Sequence, residues 1–240
     1  MLEIRGVTKQ FGGLKAVDGI DLKVGSNEIV GLIGPNGAGK TTLFNCVAGA
    51  FAPTSGEILL DGRSITGLPA NRVCRAGLAR TYQIVKPFGG LSVLDNVIVG
   101  AVNHTHDIGE ARRIAEEVLA FTGLADRRHS PAASLPLPGR KRLEISRALA
   151  TRPKILLLDE VMAGLNPSEV EKAIDLIFAI RKQGISILII EHLMRVIMAV
   201  SDRITVMHHG AKLAAGAPAG IMKDERVIKA YLGEEFGAQD

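Results

Sequence analysis

Gly34-Pro35-Asn36-Gly37-Ala38-Gly39-Lys40-Thr41 stands between an apolar segment, residues 28–33, and a helix-like run, residues 42–48. A strand, a glycine loop and a helix in that order form the context a phosphate-cradling P-loop needs. Glycine lets the backbone wrap so tightly that consecutive N–H groups converge on phosphate oxygens, and the helix that follows adds the positive end of its dipole. Lys40 supplies a mobile cation for the outer phosphates, and the Thr41 hydroxyl is a ligand for a magnesium ion. A glycine-rich turn followed by a chance Lys-Thr would lack both flanks.

Working outward, residues 2–7 and 16–24 alternate in apolar character. Residues 57–60 run into the turn Asp61-Gly62, so an antiparallel flank is expected beside the P-loop strand. Residues 155–158 and 186–190 are short continuous apolar runs of the kind a sheet buried on both faces uses. Between them, residues 168–182 carry Val170, Ala173, Ile174, Ile177 and Ile180 at helical spacing. That β-α-β order predicts an α/β fold with a mostly parallel core. Residues 93–124 and 142–150 are helix-biased, and Pro131, Pro136 and Pro138 break the stretch between them. The reading is a single domain over residues 1–240 with a helical lobe at about 86–152 inserted in the core. Two further strands are expected around His208-His209-Gly210, and a last helix after Pro218 that ends near Leu232.

With 240 residues, 47% of them hydrophobic, the chain can bury a substantial core. The formal net charge of +4 is mild, and the basic clusters Arg112-Arg113 and Arg140-Lys141-Arg142 are read as solvated surface rather than a nucleic-acid or membrane-binding face. Cys46 and Cys74 have neither metal-ligand nor disulfide spacing and read as reduced packing residues. The start is charged at once and no apolar run approaches the ~18 residues of a membrane span, so the expectation is a cytoplasmic protein.

Ile155-Leu156-Leu157-Leu158-Asp159-Glu160 is an apolar strand ending in two carboxylates. Beside a P-loop, Asp159 belongs in the magnesium shell and Glu160 where it polarises the attacking water. His192 follows another apolar strand, where a histidine can reach the outer phosphate and hold that water in line. Gln83 is a candidate for a polar side chain on the metal or the water. Phe11, before Gly12-Gly13, is either a base-stacking ring or a core aromatic.

The order Phe11, P-loop, Gln83, Asp159-Glu160, Asn166, His192 resembles the ATP-binding cassette ATPases of membrane transporters, across essentially the whole chain. The resemblance implies ATP and Mg2+ as cofactors. Nucleotide contacts would come from Phe11, Gly34, Pro35, Asn36, Gly37, Ala38, Gly39, Lys40, Thr41 and Thr42, and metal contacts from Thr41, Gln83 and Asp159. Catalysis would fall to Glu160 as general base, His192 as switch and Gln83 as sensor of the membrane subunit. Ala163-Gly164-Leu165-Asn166 would cross to a partner cassette. The implied partners are a second ATPase subunit, identical or not, transmembrane permease subunits and, indirectly, a solute-binding protein, with no nucleic acid. The implied location is the inner face of the cell membrane. Arg80-Thr81-Tyr82-Gln83, Ala163 to Pro167 and the ending Val227 to Glu234 resemble the ATPases of branched-chain amino-acid importers, with lipopolysaccharide-export ATPases as the alternative.

The family's Leu-Ser-Gly-Gly-Gln-like signature aligns with Leu135-Pro136-Leu137-Pro138-Gly139, which loses the serine hydroxyl and two backbone donors. Two readings stay open: Gly139 and Arg140 supply replacement donors, or the signature is weakened and the chain is a weakly hydrolytic nucleotide switch. Val161 stands where the family usually has proline.

Overall fold

The computed structural model describes residues 1–83 and 85–237, apart from the side chains of 232–237, so the last three residues of the ending read above as Val227 to Glu234 lie outside the described side chains. In chain order the elements are β1 (Leu2–Phe11), β2 (Leu14–Val24), β3 (Ile29–Ile33), α1 (Lys40–Val47), β4 (Ser55–Leu60), β5 (Arg63–Ser64) and α2 (Ala70–Ala76). Then come β6 (Leu78–Arg80), α3 (Val93–Ala101), α4 (Ile108–Phe121), α5 (Leu137–Ala150), β7 (Ile155–Asp159) and α6 (Pro167–Lys182). The chain closes with β8 (Ser186–Ile190), α7 (Met194–Val200), β9 (Arg203–His208), β10 (Ala211–Gly216), α8 (Pro218–Ile221) and α9 (Glu225–Gly237). They divide into two compact units, one of Met1–Ala76 with the segment from Ser186 onward, the other of Gly77–Ile185.

In the first unit β3 runs parallel to both β8 and β9, with Leu32 opposite Ile190 and Thr205. Every residue of β3 and β8 is buried, which is why both read as unbroken apolar runs. Strand β10 closes that group antiparallel to β9. A separate antiparallel sheet has the order β2-β1-β4-β5. Its first two strands outrun the alternation that announced them. The β1–β2 register slips between Ile4 and Val7 and again before Lys9, around Gly6 at φ 55°. A bulge puts an extra residue into one strand, so period-two reading fails beyond it.

In the second unit β6 and β7 are parallel, with Arg80 opposite Leu157. Helices α3, α4 and α5 bury Val97, Ala101, Ile114, Leu119 and Leu143 in a common core. The helix-biased stretch at 93–124 is two helices, because His104 to Asp107 turn the chain and the Asp107 carboxylate caps α4 by accepting from the Gly109 and Glu110 N–H groups. Asn166 caps α6 in the same way, completed by Glu169 reaching back to the Asn166 N–H.

Helices α3 and α5 approach closely at Gly100, where an added Cβ would sit 2.3 Å from the Arg147 carbonyl oxygen and 3.1 Å from the Ala150 Cβ. Alanine is the better helix former by about 1 kcal/mol. Overlap with a backbone oxygen costs more, about 1–3 kcal/mol, because no side-chain rotation relieves it. Gly100→Ala is therefore expected to lower Tm by several degrees in a calorimetric scan, against the sign that helix propensity alone would give.

Candidate nucleotide site

The P-loop leaves β3 and enters α1. Gly34 has φ 151°, and a Cβ there would lie 2.1 Å from the Met207 carbonyl oxygen. Gly39 has φ 97°, and a Cβ there would lie 2.2 Å from the Ala16 carbonyl oxygen. Strands β9 and β2 thus grip the loop backbone, and only glycine allows both conformation and approach. The Gly210 N–H ties the β9–β10 turn to the Ala38 carbonyl at 3.1 Å. Lys40 is buried, and its Nζ donates to the carbonyls of Gly34 at 2.5 Å and Pro35 at 2.8 Å. Asn36, Gly37 and Thr41 are exposed, Gly39 and Thr42 half-buried, and Pro35 and Ala38 buried.

Also in this unit, Phe11 ends β1 and is 47% exposed, which removes the core-aromatic alternative. Its ring stands edge-on to Phe51 at 5.5 Å, with Lys9 Nζ 5.0 Å from its centre. His192 is exposed two residues beyond β8. Because β8 is the parallel neighbour of β3, His192 and the P-loop leave the same end of the sheet.

In the second unit, Asp159 ends β7 fully buried. Its Oδ2 accepts from Arg80 at 2.8 Å, and its N–H donates to Thr81 Oγ1 at 3.1 Å. Among the described residues its Oδ1 is buried with no hydrogen-bond partner. A buried carboxylate oxygen without a donor fits a hard cation. Glu160 follows at φ 50°, and its Oε2 accepts from Gln83 Nε2 at 2.6 Å. The two carboxylates and Gln83 are therefore gathered in one place.

Lys141, Glu144 and Arg80 were missed in the sequence. The run Arg140-Lys141-Arg142 reads as solvated surface, yet Lys141 is 5% exposed, and its Nζ donates to the carbonyls of Glu160 at 3.0 Å and Gln83 at 3.2 Å. Glu144, one turn on, accepts from the Tyr82 N–H at 2.6 Å. The available signal was helical phase, since Lys141, Glu144 and Ala148 lie on one face of α5 and all are buried. Arg140 is not a spare donor. Its Nε and one terminal nitrogen hold the carbonyls of Leu135 and Ala133, and its backbone N–H is bound to Pro136. Pro136 caps α5 without a side-chain hydrogen bond.

The loop between β3 and α1, with its buried lysine, defines a P-loop nucleotide hydrolase with an α/β core. The family model described as ABC transporter matches residues 17–163, and one described as Branched-chain amino acid ATP-binding cassette transporter matches residues 211–237. The high-affinity branched-chain amino acid transport ATP-binding protein BraF of Pseudomonas aeruginosa is 42% identical over 250 residues, covering 98% of each chain. LivG of Escherichia coli K12, described in the same words, is 41% identical over 250 residues at the same coverage. A solved nucleotide-free ATP-binding cassette from an ABC transporter is similar with a TM-score of 0.88 at 28% identity, over 96% of this chain and 98% of that one. The chain belongs to the ABC transporter family, as one of its ATPases. Within that family it stands with the ATP-binding proteins of branched-chain amino acid transport.

Burial pushes the Glu144 carboxyl up to about 7, against the opposing pull of the Tyr82 N–H, Lys141 and Arg147, while Asp159 pushes the same way as burial. An acid whose folded pKa is raised holds a proton that the unfolded chain releases, so folding stability falls as pH rises from the ordinary carboxylate range to about 7. Glu144→Gln keeps an acceptor for Tyr82 and removes that titration. The variant is expected to gain on the parent in Tm between pH 5 and pH 8, by the equivalent of at most about 3 kcal/mol after allowing for residual solvation. Parallel melts at the two pH values measure it.

Proposed function

We propose that this chain is the ATP-hydrolysing subunit of an importer for branched-chain amino acids. It works at the inner face of the cell membrane, beside permease subunits that a solute-binding protein supplies. The substrate class rests on one observation, the family match at residues 211–237 together with full-length similarity to BraF and LivG. No helix among the described residues is long and apolar enough to cross a membrane.

In this reading ATP lies along the P-loop, with Phe11 against the adenine, the backbone N–H groups of 34–42 on the phosphates and Lys40 on the outer ones. Mg2+ would be held by Thr41, Asp159 and Gln83, and it supplies charge neutralisation between the phosphates. Glu160 takes the proton of the attacking water, Gln83 and His192 orient that water, and closure against a second cassette completes the site. The helices of residues 86–152 form the lobe that meets the permease, and Ala163 to Asn166 the loop that meets the other cassette.

A second reading, a nucleotide-binding switch of slow turnover, draws on the opening of α5. Pro136 and Pro138 offer no N–H there, and Arg140 is engaged with Leu135 and Ala133. Steady-state turnover of the assembled complex separates the two readings.

Lys40→Ala is expected to abolish useful MgATP binding in titrations with a fluorescent ATP analogue; unchanged affinity would overturn the P-loop assignment. Glu160→Gln keeps the shape and the partner of the side chain but loses its basicity, so it should bind ATP normally and turn over at least about a hundredfold more slowly. Uptake of labelled leucine, isoleucine and valine into proteoliposomes holding the complete transporter tests the substrate class, and ATP-driven uptake of none of them would refute it.

A further inference from the structure

The groups that carry the hydrolysis reading are held from α5. Lys141 Nζ donates to the backbone carbonyls of Gln83 and Glu160 at 3.2 and 3.0 Å, while the Gln83 amide donates to the Glu160 carboxylate at 2.6 Å. Those three bonds close a ring: ammonium to Gln83 backbone, Gln83 side chain to Glu160 side chain, Glu160 backbone to ammonium. One turn further along α5, Glu144 takes the N–H of Tyr82, the residue before Gln83. Helix α5 thus grips the loop at two successive residues and the catalytic segment at one.

Burying an ammonium costs several kcal/mol unless strong acceptors replace water. Its hydrogen bonds among the described residues go to two carbonyls, each from a segment with little regular structure of its own. Glu160 sits at φ 50°, a left-handed conformation that a non-glycine residue adopts only when its surroundings hold it there. A hydrophobic residue at position 141 would fill the same space at no desolvation cost, so the charge has to act through what it holds. We propose that Lys141 is a positioning residue for ATP hydrolysis, fixing the backbones of Gln83 and Glu160 so that the Glu160 carboxylate points at the attacking water. Movement of α5 then carries glutamine and glutamate together, which makes the helix that opens at the altered signature a lever on the reacting end of the site.

This inference rests on reading Glu160 as the general base, and a double-mutant cycle separates the two. Full-length parent, Lys141→Met, Glu160→Gln and the double variant are compared in the assembled transporter by single-turnover ATP hydrolysis, with ATP affinity and Tm measured alongside. Lys141→Met is expected to keep ATP affinity within threefold, to slow turnover tenfold to a hundredfold, and to add less than twofold in the Glu160→Gln background. Lys141→Gln, which retains a donor, is expected to fall between parent and Met; it carries the cycle if the Met variant melts below the assay temperature. A full additional loss in the Glu160→Gln background, or parent-like turnover of both Lys141 variants, would overturn the inference. Parent-like turnover of Glu160→Gln alone would overturn the base assignment instead.

Discussion

There is no room for a methyl group at Gly34 or Gly39. Each backbone lies against a carbonyl oxygen of a neighbouring strand, Met207 in β9 and Ala16 in β2, closer than any Cβ permits. That constraint shapes its unit. The loop can present its N–H groups to phosphate only if β9 and β2 grip it from outside, and those strands are fixed in turn by the β9–β10 turn, whose Gly210 bonds to Ala38 and to Asp18. The helix α1 can then begin at Lys40 in the one orientation that points its first turn into the loop.

The second unit solves a different problem, the placement of two acidic residues at a strand end without collapse onto each other. Asp159 is neutralised on one side by Arg80 within a buried pair, and its other oxygen has no hydrogen-bond partner among the described residues. Glu160 is turned away by a left-handed backbone and met by an amide. Neighbouring residues thus receive opposite treatment, a fixed cation for one and a neutral donor for the other.

Much of this was legible in the sequence, because the P-loop and the strand-end carboxylates are contiguous. A short motif carries its own geometry when its flanks agree with it, as residues 28–33 and 42–48 do. The apolar runs of β3, β7 and β8 were legible for a related reason, since burial on both faces leaves no room for polar interruption. What escaped had a tertiary cause. The end of β1, residues 8–11, and the first two residues of β2, Leu14 and Lys15, hide behind the bulge at Gly6. The break between α3 and α4 hangs on one capping aspartate. Lys141 and Glu144 look like solvated helix charges until β6 and its loop cover them, and their partners lie 58 and 62 residues away.

Lys40 gives the P-loop a particular electrostatic character. Its ammonium is bound to the carbonyls of Gly34 and Pro35, at the start of the same loop whose N–H groups serve phosphate. In the reading proposed above, a nucleotide gains from Lys40 the difference between phosphate oxygens and the carbonyl dipoles they replace, less than the full value of a charge-assisted bond, about 1.5–3 kcal/mol. Discrimination follows from this exchange. In the same reading, the more charge an anion brings to the loop, the more it gains over the carbonyls it replaces, which makes the lysine a measure of phosphate charge rather than a general attraction for anions.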